Sequence, residues 1–266
     1  MSVSISNKLV TRGLELYLDS ANPKSFVPGN TSFGGLPLWN SIGTTNQVNL
    51  EGGNSFNNDF AGVINFDGVD GTTSRSRFFY PSIRNGDEVG ETVIKDFELT
   101  FEMVFRLLET VPSGTPTNLF RTTASSSGVQ MLPLYRTTAP ADNNFISSAG
   151  YKNVGGTKQT LFSINEYEIN KWYHVTMSMR KTSPTTGEWL LLINGNVIEH
   201  STLNDIDFWG NYSELNINEL GNQIESMPNT NYFSHDKAII RVYRKGLTLD
   251  ECLQNYRVLK KRFKLN

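Results

Sequence analysis

Trp172-Tyr173-His174-Val175-Thr176-Met177-Ser178-Met179-Arg180 is the stretch on which the reading of the fold turns. Tyr173, Val175, Met177 and Met179 occupy every second position, with His174, Thr176, Ser178 and Arg180 between them. A period of two places alternate side chains on opposite faces of an extended strand. The same rhythm precedes it in Phe97, Leu99, Phe101, Met103 and Phe105, interleaved with Glu98, Thr100 and Glu102, and earlier in Leu14, Leu16 and Leu18. Each of these segments is expected to be a half-buried strand.

Downstream, Trp189 to Ile193 leads into Asn194-Gly195 and then Asn196-Val197-Ile198. Asn-Gly tolerates the two positive φ angles of a type I′ turn, so a β-hairpin is expected there. Leu215–Leu220 and Ala238–Tyr243 supply two further short strands. Thr110–Asn118, Thr122–Gly128, Thr137–Asn144 and Asn222–Asn231 are rich in Ser, Thr, Pro, Asn and Gly, and read as connections at a sandwich rim.

One helix is expected, near the C-terminus. Thr248 and Glu251 have the spacing of a capping box, and Leu249, Cys252, Leu253, Tyr256, Leu259 and Phe263 follow at helical intervals. Cys252 is expected to pack as a small hydrophobe. Lys260, Lys261, Arg262 and Lys264 gather at the end, where the helix dipole favours cations, and are read as structural capping rather than a docking patch. The expected organisation is an N-terminal arm over residues 1–12 and one β-sandwich domain over 13–266, helix included.

The composition fits such a domain. Hydrophobic residues make up 38% of the 266, charged residues 19%, and the formal net charge is -2, which disfavours both disorder and general nucleic-acid binding. Cys252 is the lone cysteine, so no internal disulfide can staple the fold. Neither a secretory-signal layout nor a long apolar run is visible, and folding in a cytoplasm without membrane insertion is expected.

Catalytic signals are sparse. Glu98 and Glu102 share a strand face roughly 13 Å apart, too far for a glycosidase pair, and are read as solvent-facing. Glu166 and Glu168 flank Tyr167 at a spacing too common to mark a site. His174, His200 and His235 lack zinc-ligand spacing, and no nucleophile elbow or phosphate-binding loop occurs. Asp67 and Asp70, in Phe66-Asp67-Gly68-Val69-Asp70-Gly71, are candidate calcium ligands; a plain turn is the alternative, since the spacing does not fit an EF-hand loop. No other cofactor is expected. Trp39, Tyr151, Trp209, Tyr212, Tyr232 and Phe233 are candidate loop aromatics for stacking on a sugar, against the alternative that they are core.

Taken in order, Gly13 to Pro23, Ile64 to Asp70, Phe97 to Phe105, Asn170 to Val175, Leu192-Ile193-Asn194-Gly195 and Ile239 to Thr248 resemble the concanavalin A-like lectin/glucanase (laminin-G-like) superfamily across nearly the whole chain. The resemblance implies an all-β, antiparallel jelly-roll β-sandwich with a short C-terminal α-helix, binding glycans or proteins through rim loops. It implies no catalysis, because the Glu-x-Asp-x-x-Glu strand of the glucanase branch is absent. The Asp often found before the family's final Val-x-Tyr strand is replaced around Ala238 to Ile240, which weakens transfer of a family calcium or ligand site.

The start Leu16-Tyr17-Leu18-Asp19-Ser20-Ala21-Asn22-Pro23 and the finish from Gln254-Asn255-Tyr256 to Phe263 look like domains of tailed-bacteriophage structural proteins. That likeness implies a non-enzymatic virion structural or decoration protein, attached to capsid or tail and assembled in the host cytoplasm. Its expected partners are other virion proteins and host-surface glycans, in an oligomeric or symmetry-bound state. A free carbohydrate-binding lectin is the alternative, and a glycoside hydrolase of the same superfamily ranks third.

Overall fold

In a computed structural model of the chain, the structure describes residues 8–32, 36–40, 42, 47–51, 54–66, 77–79, 98–110, 117–124, 131–136, 144–152, 158–205, 215–219 and 234–266. They form an antiparallel jelly-roll β-sandwich closed by one C-terminal helix.

The large sheet is built around the stretches that alternate most regularly. In it β13 (Trp172–Lys181) lies between β8 (Leu99–Leu107) and β14 (Gly187–Ile193), and β15 (Asn196–Leu203) forms the edge. On the other side of β8 runs β17 (His235–Tyr243). Its first half pairs with β6 (Val63–Phe66), which carries β5 (Ser55–Asn57). Its second half pairs with β1 (Leu14–Asp19). Against β8 the register of β17 shifts between Lys237 and Ile239, at the position where its other edge passes from β6 to β1.

The opposite layer comes from two smaller sheets. One orders β12 (Lys158–Glu166), β11 (Asn144–Lys152), β10 (Met131–Arg136), β9 (Thr117–Ala124) and β16 (Leu215–Glu219). The other orders β2 (Phe26–Ser32), β3 (Leu36–Asn40), β4 (Gln47–Glu51) and β7 (Arg77–Phe79). Thr117, Asn118, Thr122 to Ala124 and Asn144, expected in connections, therefore lie in ladders: their backbone pairs with a neighbouring strand although the side chains are short and mostly polar. Phe97 and the 222–231 connection lie outside the described residues.

Between the layers, Phe101, Met103, Phe105, Tyr173, Val175, Met177, Met179, Trp189, Leu191, Ile240 and Val242 meet Phe26, Trp39, Leu50 and Phe145 in one apolar core. The hairpin forms as expected, with Asn194 at φ 49° and Gly195 at φ 76°. A Cβ on Gly195 would come within 2.5 Å of the Tyr256 ring, so the tip of the hairpin presses on the helix.

Helix α1 spans Leu249–Phe263. Both halves of its capping box are present: the Glu251 N–H donates to Thr248 Oγ1 at 3.3 Å, and the Thr248 N–H donates to Glu251 Oε2 at 2.9 Å. It lies across the outer face of the large sheet. Tyr256, Leu259 and Phe263 pack with Val104, Trp172 and Ile239 toward one end, and Cys252 packs with Val10, Leu190 and Leu192 toward the other. The strands beneath are consequently buried on both faces, not half-buried; all but the last two residues of β13 are inaccessible. None of the described helices is long and apolar enough to cross a membrane.

Candidate functional site

Between those two apolar patches the outer face of the large sheet is polar. Glu102 on β8, Arg241 and Tyr243 on β17, and His174 and Thr176 on β13 all point under α1, which supplies Asn255. Arg241 Nη1 donates to Glu102 Oε2 at 3.2 Å, the Tyr243 hydroxyl donates to the same oxygen at 3.2 Å, and Asn255 Nδ2 reaches both carboxylate oxygens at 3.0 and 3.1 Å. Asn255 Oδ1 in turn accepts from the Val10 N–H at 2.9 Å, which draws in the N-terminal arm. Glu102 is 1% exposed, so its expected place in solvent is corrected. Alternation assigns a side chain to a face but is silent about a helix laid over that face.

Burial by itself would raise the Glu102 carboxyl, but His174, the Arg241 guanidinium and Asn255 outweigh it and hold the group at about 2. His174 Nε2 stands 3.6 Å from Oε1, while the Arg241 and Asn255 donors reach the carboxylate at 3.0 to 3.2 Å. A carboxylate sealed from solvent and neutralised by a guanidinium is no acid or base for a bound substrate. The cluster holds helix, arm and sheet together.

A second ionic clamp fixes the other end of the helix. Arg262 donates to Asp19 Oδ1 at 2.7 Å and to the carbonyls of Phe60 and Gly62 at 2.8 and 3.1 Å. Asp19 also accepts from the Ala21 N–H, and Ser20 Oγ donates to the Gly62 carbonyl at 2.6 Å. The Asp19-Ser20 stretch that carried the family resemblance thus joins β1, β6 and α1. On β17, Asp236 accepts from Arg106, whose guanidinium lies 5.1 Å over the Trp172 ring.

Of the candidate ligand aromatics, Trp39 sits on β3 and is fully buried in the core, where no sugar can stack on it. Tyr151 belongs to strand β11, paired with Gln159, and not to a loop. Trp209, Tyr212, Tyr232 and Phe233 lie outside the described residues, as do the calcium candidates Asp67 and Asp70. No group of three or more His, Cys, Asp or Glu side chains among the described residues is arranged to hold a metal. Glu166 and Glu168 are exposed on either side of buried Tyr167, and Glu168 pairs with Lys171 at 2.8 Å.

The feature sequence reasoning set aside is the cationic end of α1. Arg257, Lys260, Lys261 and Lys264, all exposed, line an open hollow of about 470 Å³ together with Leu265 and Asn266. Lys264 adopts the left-handed conformation, φ 50°, and turns the chain back so that Leu265 is buried against the helix underside. The N–H groups of Lys264 and Leu265 both bond the Lys260 carbonyl, so backbone donors cap this helix end. Among the described residues, only Arg262 of the basic cluster is committed to an ion pair.

No protein-family model and no curated protein matches the sequence. Among solved structures the chain is similar to the binding domain of botulinum neurotoxin DC in complex with rat synaptotagmin II, at 15% identity and TM-score 0.57 over 93% of this chain and 52% of that one. It is similar to the same binding domain in complex with SialylT, at 13% identity and TM-score 0.57 over 93% and 52%. The binding domain of Paraclostridial Mosquitocidal Protein 1 matches at 12% identity and TM-score 0.56, over 92% and 52%. The chain spans about half the length of these structures. At such identities the likeness shows the fold alone, an antiparallel β-sandwich.

Proposed function

We propose that this chain is a non-catalytic attachment module: a lectin-like sandwich carried on the particle of a tailed bacteriophage, bound to capsid or tail proteins and presenting its surface to host glycans. The observation that carries the reading is the fold itself, which follows binding domains over 93% of the chain. The polar residues that converge among those described support it, because Glu102, Arg241 and Asn255 are sealed beneath a helix and serve cohesion, not turnover. The assignment to a phage particle rests on the sequence likeness of the two ends, Leu16 to Pro23 and Gln254 to Phe263.

Mass spectrometry of purified particles from the phage encoding the chain tests this reading. The expected result is a stoichiometric component that stays with the particle through density-gradient banding. Particles that lack the chain, or that shed it entirely on banding, overturn the reading.

A further inference from the structure

We infer that the hollow at the C-terminal end of α1 is a binding site for the phosphate or sulfate groups of an anionic saccharide. Four cations, Arg257, Lys260, Lys261 and Lys264, face one space of about 470 Å³, in a chain whose formal net charge is -2. Arg257, Lys261 and Lys264 have no carboxylate partner among the described residues, and the Lys260 ammonium is engaged only by the Tyr256 ring, 5.7 Å from its centroid. Like charges so gathered repel one another, and a bound anion removes that repulsion.

Helix capping does not account for the arrangement. The Lys260 carbonyl is satisfied by two backbone N–H groups, and the exposed side chains point into the hollow instead of back to the last carbonyls. The hollow has the volume of a small-ligand site and is open to solvent, which suits a sugar ring carrying its charge on a substituent. Arg257 contributes a planar fork that matches two oxygens of a phosphate or sulfate, while the lysines act as point charges around it. Among the described residues this patch is small and compact, unlike the extended basic stripe that nucleic acid requires, and the chain carries a formal net charge of -2.

The inference deepens the attachment reading by naming the chemistry of what is bound. The test is isothermal titration of the full chain, at low salt, with a sulfated tetrasaccharide and with its desulfated counterpart. Saturable binding of the sulfated sugar alone is expected, weakened by added salt and reduced about tenfold or more in a Lys260→Gln/Lys261→Gln/Lys264→Gln variant. Arg257→Gln provides a second, single-site variant, expected to weaken binding by a smaller factor, and Lys24→Gln is expected to bind as the unaltered chain does. Equal binding of the two tetrasaccharides, no binding of either, or an undiminished affinity in both hollow variants overturns the inference. So does a preference for phosphatidylglycerol vesicles or a single-stranded oligonucleotide over the sulfated sugar. None of these results depends on particle banding, so the anion site and the particle assignment fail separately.

Discussion

Glu102 and Arg241 show how much one residue can decide when it is sealed from water. Replacing Glu102 by Gln leaves the Arg241 guanidinium buried without its counter-charge, and the expected loss is about 3–5 kcal/mol, read from urea unfolding. A Glu102→Gln/Arg241→Met double variant is expected to recover part of that loss, since no lone charge remains. Lys237 presents the reverse case. It is wholly buried, its amine has no hydrogen-bond partner among the described residues, and it rests 4.6 Å over the Phe66 ring. Burial drives its pKa well below the ordinary lysine value, so between the lowered folded value and the ordinary one the folded chain holds it neutral while the unfolded chain is protonated. The unfolded state then binds the extra proton, and this contribution to stability rises with pH between the depressed folded value and about 10.4. Lys237→Met is expected to stabilise the fold by about 1–3 kcal/mol at pH 7 and by less near pH 10, as measured by thermal unfolding at both.

At the scale of elements, the contact between the β14–β15 turn and α1 is exposed to a small change. Gly195 combines φ 76° with a Tyr256 ring that a Cβ would meet at 2.5 Å. Gly195→Ala is expected to cost about 1–3 kcal/mol in unfolding experiments, through left-handed strain and displacement of the helix. The same elements show what a sequence can disclose. β1, β8, β13, the β14–β15 hairpin, β17 and α1 were legible because one of their faces is filled by large apolar residues at a fixed period. β2, β9 and β11 were not, because Pro28-Gly29, Thr122-Thr123 and Ser147-Ser148 interrupt that period while the backbone still pairs. Glu102 was assigned to the correct face and the wrong environment. The helix that covers it lies some 150 positions later, as its hydrogen bond to Asn255 records. Trp39 was misplaced because an aromatic in a Gly- and Asn-rich neighbourhood looks the same whether it faces a rim or a core. The cationic hollow was seen as charge but not as shape, since the left-handed turn at Lys264 carries no glycine to announce it.

For the whole molecule, the Glu102 cluster ties together the arm, three central strands and the helix, so acid is expected to act on all of them at once. Glu102 is lowered in the folded chain from its ordinary value of 4.5 to about 2. A depressed carboxyl stabilises the fold above its unfolded value, and that contribution fades as pH falls from about 4.5 through about 2. Circular dichroism across this window is expected to show strand and helix signals lost in a single transition. Separate loss of the helix at higher pH would show that the cluster does not govern its docking.

The arm and α1 also lie on the same side of the large sheet, with the Gln254 side chain donating to the Lys8 carbonyl and the Val10 N–H donating to Asn255. Residues 8–10 and α1 therefore lie together over the outer face of the large sheet. A fluorophore or other label placed on the exposed side of α1 would stand on that face and leave the sheet of β9 to β12 and β16 facing away from it.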